Sequence, residues 1–235
     1  MGTPDYNEVV ERFAINILKD AAPDLALDSN GNIAVSKWGD LMLNNPQYSA
    51  MFRLVQNWRF NAPMIRTQFD MVSAVKLRQS ELKKQMFPIK NQREYENIIN
   101  EISSSELGTA ACAGVIVLVF NNLLQSFKDD IGVSSNVYET TPPLIGERSV
   151  GAIFAAASNY FRHQDEWIKA NDLTPQQTKS MKILIDSLAL PPAIGGLKNH
   201  FRENNICANV LEKLGNGSFD QLNDMFFKFS KNLMP

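Results

Sequence analysis

The sequence predicts an all-α fold, an irregular multi-helix bundle, and three observations carry that reading. Apolar side chains recur at helical spacing through most of the 235 residues. Helix-starting residues precede several of those stretches, among them Thr3-Pro4-Asp5, Thr174-Pro175 and Ser218. Strand signals are confined to a short β-hairpin near residues 25–36. An apolar content of 44% with 20% charged residues is that of a chain with a packed core. The expected organisation is a single helical domain, 1–235; its alternative is two lobes, 1–130 and 148–235, joined by a 131–147 loop.

The first helix opens at Thr3-Pro4-Asp5, buries Tyr6, Val9, Val10, Phe13 and Ile17, and runs to Pro23. Asp28-Ser29-Asn30-Gly31-Asn32 lies between Leu25-Ala26-Leu27 and Ile33-Ala34-Val35, an Asn-Gly hairpin signal. It lacks the later glutamate of a calcium loop and reads as a turn. Ser36 to Asn44 reads as a short helix, Pro46 opens another, and Asn61-Ala62-Pro63 starts a third that ends near Phe87-Pro88. Tyr95, Ile98, Ile99 and Ile102 mark a helix over 92–102. Ser103 and Glu106 have capping-box spacing and start a new helix, Leu107 to Lys128, whose first half is apolar nearly all round and is the expected central strut.

Residues 131–147 lose the helical pattern, and a loop of that length is expected to be a functional lid over a small-ligand pocket or a linker. After it, a helix from Val150 to Asn171 buries Val150, Ile153, Phe154, Ala157, Phe161 and Ile168. Thr174 caps the next helix, Leu190-Pro191-Pro192 and Gly195-Gly196 form a break, and Leu197 to Leu214 carries His200. Gly215-Asn216-Gly217 ends that helix, and Ser218 caps a last one that docks through Phe226, Phe227, Phe229 and Leu233. No internal repeat is expected.

Composition narrows the chemistry. A net charge of -2 excludes a general nucleic-acid coat and leaves room for a local basic patch. The most basic short stretch is Lys76 to Lys84, with Lys76, Arg78, Lys83 and Lys84 against Glu81. It reads as a solvated helix face or as a phosphate-backbone contact. Cys112 and Cys207 are too few and too far apart for a disulfide framework or a zinc site, and Cys112, in an apolar run, is expected to be buried. Two histidines exclude a His-rich metal site, and no metal or cofactor is expected. The N-terminus lacks a signal-peptide pattern, and the run Ala110 to Phe120 stops at Asn121-Asn122, short of a membrane span. The expectation is a cytoplasmic protein with no membrane partner. P-loop, dinucleotide-fold glycine, HExxH and GxSxG signatures are absent.

What remains is Ala155 to Trp167, where Asn, Arg, His, Asp and Glu crowd into about two turns. Asn159 and His163 are four apart and share a helix face, Glu166 lies one turn on, and Gly151, Ala152, Ala155 and Ala156 leave room on that side for a close helix or a nucleotide. Ser158-Asn159-Tyr160-Phe161-Arg162-His163 resembles the motif of the HEPN superfamily, commonly Arg-Asn, three residues, then His. Asn159 and His163 match its last two fixed places; Ser158 stands where the arginine is expected.

The resemblance implies an all-helical, metal-independent ribonuclease of a defence or toxin–antitoxin system, with two protomers pairing their motif helices around the active cleft. Carried over, His163 is the acid/base on the ribose 2′-hydroxyl or the leaving oxygen, and Asn159 orients the imidazole or the phosphate. Arg162 has to supply the missing arginine's charge. Glu166, Lys83 and Lys84 are the candidate substrate contacts. The implied partners are RNA and a second copy docked through the 148–170 helix. The alternative function is a non-catalytic helical interaction module, with the Asn159–His163 face in a protein interface.

Overall fold

The structure is a computed structural model and describes residues 2–36, 39, 41–87, 89–170, 172–190, 201 and 205–234. Among these, eight α-helices and one two-strand hairpin make an all-α fold. Its axis is a helix from Gln92 to Ile131, α3, whose apolar half buries Ala113, Ile116, Val117, Phe120 and Leu124. By length and composition alone α3 could cross a bilayer, with 44% of its most apolar 18-residue window buried. That burial is supplied by the chain itself: Phe120 stacks on Phe154, 5.2 Å between ring centroids, and meets Phe226 edge-on at 5.0 Å.

Antiparallel to α3 runs α2, Pro46–Met86, tied to it by Arg53–Asp130 near one end and Arg78–Glu101 near the other. Both helices overrun the breaks expected at Asn61-Ala62-Pro63 and Ser103–Glu106. An interior proline costs about 3 kcal/mol. Here the flanking turns are pinned by Trp58, Ile65 and Phe69 in the core and by a buried bond from Trp58 Nε1 to Asn223 Oδ1 of 3.1 Å. Ser105 bonds back into its own helix, its Oγ donating to Ile102 O at 2.9 Å, and the helix runs on past Ser103 and Glu106. Gln79 Nε2 then donates across to Ser105 Oγ at 2.8 Å and Glu106 Oε2 at 3.0 Å, so the residues expected to interrupt α3 clamp it to α2. At about 1.5 Å per residue the 41 and 40 residues of these helices span roughly 60 Å.

The N-terminal 45 residues depart most from expectation. The first helix, α1, is Tyr6–Arg12, capped by Asp5, and ends far short of Pro23 in a 3-10 turn, Asn16–Leu18. The hairpin bridge Leu27↔Ile33 is present, but where a helix is expected over 36–44 the described residues are not helical: Gly39 lies at a turn, and Leu41 and Leu43 pair with Val35 and Leu25. The backbone closes a ring: Ala26 N donates to Met42 O, Ala34 N to Ala26 O, and Met42 N to Ala34 O. The three donors are eight residues apart, as are Gly31 and Gly39, which take φ of 79° and 88° at the two turns. An internal repeat therefore exists where none was expected.

Residues 131–147 are built, not open. Gly132 closes α3 in left-handed geometry, Ser134 caps a short helix α4, Ser135–Thr140, and strands β1, Leu144–Ile145, and β2, Arg148–Ser149, pair across Gly146. Buried Tyr138 anchors the segment. Then come α5, Val150–Lys169, and α6, Pro175–Leu188, the latter opened by a Thr174/Gln177 capping box. Helix α7 is Ile206–Gly215, ended by Asn216 in left-handed geometry, and α8 is Phe219–Leu233. The expected break at 191–196 and His200 lie outside the described residues. One buried cluster runs from Val9 to Leu233 and takes in both sides of the 131–147 segment. Cys207 is the buried thiol; Cys112 is only half-buried.

Asp220, at the start of α8, receives Arg66 at 2.6 Å and Arg12 at 3.0 Å. Partial burial pushes its carboxyl pKa up, but the bonds and charge of Arg12 and then Arg66 outweigh that and hold it below the ordinary value. A carboxylate depressed on folding adds stability above its unfolded pKa, about 3.9, and loses it as pH falls through the folded value. Asp220→Asn is therefore expected to melt below the wild type by a constant margin above about pH 5, a margin that shrinks toward zero in more acid buffer. A margin that grows on acidification would contradict the assignment.

Candidate functional site

Ser149 starts α5: its Oγ accepts from Ala152 N at 3.1 Å and donates to Tyr138 O at 2.8 Å. The first half of the helix is buried nearly all round, more than the single stripe expected: Gly151, Ala152, Ala156 and Ser158 join Val150, Ile153, Phe154 and Ala157 in the interior, while Phe161 and Ile168 are half-buried. Gly151 has to be small because neighbours of the same chain press on it. A Cβ on Gly151 would lie 2.5 Å from the Tyr138 ring and 2.6 Å from that of Phe229. On α3, a Cβ on Gly114 would collide with the Phe161 ring.

The motif residues separate by face. Ser158 is fully buried and its Oγ has no hydrogen-bond partner, so the place where the resemblance expects an arginine points into the core. Asn159 turns toward α6 and donates from Nδ2 to Ser180 Oγ at 3.1 Å. Arg162 is exposed and its Nε reaches back to Ser158 O at 3.4 Å. His163 leaves helical geometry, at φ -127° and ψ 18°. Its side chain is 41% exposed, with Nδ1 3.1 Å from Glu166 Oε2. In the tautomer with the proton on Nδ1, Glu166 accepts it and Nε2 carries the lone pair. Lys83 and Lys84 are exposed on α2, in an open groove lined by Lys76, Gln79, Ser80 and Phe87; no residue of α5 lines that groove. Among the described residues, no three His, Cys, Asp or Glu side chains are grouped to hold a metal ion.

A second feature lies on the same stripe of α5. Ala152, Ala156, Asn159 and His163 fall within about 60° on the helical wheel. Toward its N-terminal end, α3, α4, α5 and α6 enclose a cavity of about 120 Å³. Its floor is Ala152, Ala155 and Ala156; its polar walls include Gln125, Lys128, Tyr138, Lys179 and Ser180. The sequence carried one weak signal for it: Gln125 and Lys128 stand three residues apart on one face of α3. Lys179 and Ser180, in α6, carried none. The chain matches no family model, no curated protein and no solved structure, so a functional reading rests on the residues of these two sites and their geometry.

Proposed function

We propose that this chain is a HEPN-like helical protein of a defence or toxin–antitoxin type that acts on RNA in the cytoplasm, through the outward face of α5 and with a second copy completing the site. The observation that supports it is the His163–Glu166 pair: a half-exposed imidazole, at a break in the helix, with Nδ1 held by a carboxylate at 3.1 Å. In the reaction, His163 Nε2 takes the proton of a ribose 2′-hydroxyl. The 2′-oxygen bonds to the adjacent phosphorus, the P–O5′ bond breaks, and the departing oxygen takes a proton from water or from the second copy's imidazolium. The products are a 2′,3′-cyclic phosphate and a 5′-hydroxyl. Arg162, exposed one residue away, supplies positive charge to the phosphate. Asn159 has a different part from the one the motif suggests: bonded to Ser180, it sets α5 against α6.

The test is cleavage of mixed RNA in EDTA by wild type and His163→Ala. Cyclic-phosphate ends released by the wild type and lost in the variant support the reading; equal release by both defeats it. No cleavage by either favours the alternative, a helical interaction module, whose simplest contact surface is the exposed apolar patch on the eight-residue repeat. Leu27, Ile33, Val35 and Leu41 are 63%, 48%, 54% and 58% exposed there, grouped on one patch. On that alternative, Val35→Glu shifts the wild-type elution volume to that of a smaller species; an unchanged volume counts against it.

A further inference from the structure

The cavity among α3, α4, α5 and α6 is lined by two buried hydroxyls and two ammonium groups. Tyr138 is 3% exposed and its hydroxyl accepts from Gln125 Nε2 at 3.3 Å. Burial raises the phenol's pKa far beyond neutrality, so its proton stays on, and that proton meets no acceptor among the described residues. Ser180, also 3% exposed, is in the same position: its Oγ accepts from Asn159 Nδ2, and its own proton has no acceptor there. Two ammonium groups join them. Lys179 Nζ pairs with Glu139 Oε1 at 2.7 Å. Lys128 Nζ donates to Ser135 Oγ at 3.1 Å and lies over the Tyr138 ring at 5.3 Å, with no carboxylate against it among the described residues. Buried donors without acceptors are costly, and a ligand that satisfies them must bring lone pairs.

We propose that this cavity is a binding site for a phosphate-sized oxyanion, held by Lys128, Lys179, Tyr138 and Ser180. With Glu139 counted, the charged groups sum to one net positive charge, which an anion neutralises. A volume of about 120 Å³ takes one tetrahedral oxyanion. The cavity lies two turns from His163 on the same α5 stripe, so in an RNA complex it takes a phosphate beside the one attacked. The site itself does not depend on cleavage.

The test is calorimetric titration of the full chain with inorganic phosphate, 5′-AMP, adenosine and hexauridylate, for wild type, Lys128→Met, Glu139→Gln and His163→Ala. Thermal melts of each variant confirm folding. Phosphate and 5′-AMP are expected to bind the wild type, and adenosine is not. Lys128→Met is expected to weaken phosphate at least tenfold, while Glu139→Gln, which frees Lys179, tightens it several-fold. His163→Ala binds phosphate as the wild type does, which separates this site from the nuclease reading. Hexauridylate binding that falls with Lys128→Met identifies a nucleic-acid phosphate as the occupant; hexauridylate binding that ignores the change leaves free phosphate or a mononucleotide. No phosphate binding by the folded wild type, or equal binding by folded Lys128→Met, overturns the proposal.

Discussion

Phe120→Ala is expected to cost about 3–5 kcal/mol of stability, the range for emptying a fully buried phenylalanine site. Phe120 has no exposed surface, stacks on Phe154 at 18° between ring planes, and meets Phe226 at 63°. It sits where α3, α5 and α8 converge, and those helices cannot collapse into the gap together, because each is fixed elsewhere. On α5, Gly151 is already in close contact with Tyr138 and Phe229, and on α8, Asn223 is held by Trp58. For a chain of this size that loss lowers the melting temperature by roughly 10 °C. Phe87→Ala is the control: at 94% exposed it is expected to change stability by less than about 0.5 kcal/mol. Equal melting shifts for the two would mean that α3 is not the axis of the core.

The contrast between those two phenylalanines marks what could be read from the sequence. Helix starts were legible where the signal is local: Thr174 with Gln177, and Ser218 under Gln221 N, bond within three residues. Helix continuity was not, because Pro63 and Ser103 to Ser105 are strong local stop signals. The counterweights are a tryptophan bonded 165 residues away and a glutamine reaching 26 residues across to α3. The eight-residue spacing of Leu25-Ala26-Leu27, Ile33-Ala34-Val35 and Leu41-Met42-Leu43 was in plain view.

The candidate site divides in the same way. The His163–Glu166 pair comes from i, i+3 spacing and could be read from the chain alone. The direction of Ser158 and the partner of Asn159 depend on how α5 is rotated against α3 and α6. Spacing within one helix carries no information on that rotation. Lys83 and Lys84 lie on an exposed face of α2, in a groove that no residue of α5 lines, while Lys76 of the same stretch is half-buried. The polar residues of the cavity beside α5 come from three helices, α3, α4 and α6, while α5 contributes only alanines.

Gly151→Ala is expected to lower stability by about 1–3 kcal/mol, although alanine is the better helix former by up to about 1 kcal/mol. The added methyl would sit 2.5 Å from Tyr138 Cζ and 2.6 Å from Phe229 Cζ, closer than carbon atoms approach. Neither ring can yield freely. Tyr138 is 3% exposed and meets Phe229 edge-on at 5.3 Å, and Phe229 is fully buried. Gly108→Ala on α3 separates propensity from packing, since nothing lies within 4 Å of its added methyl. That variant is expected to gain about 0.4–1 kcal/mol. The pair also tests what the small residues of α5 are for. If Gly151 is small to admit rings of its own chain, alanine lowers the melting temperature at every protein concentration alike. If it is small to admit a second copy's helix, the loss appears as weaker self-association and fades where the chain is already monomeric. Chemical denaturation at two concentrations a hundredfold apart distinguishes the outcomes, and the ring contacts at 2.5 and 2.6 Å favour the first.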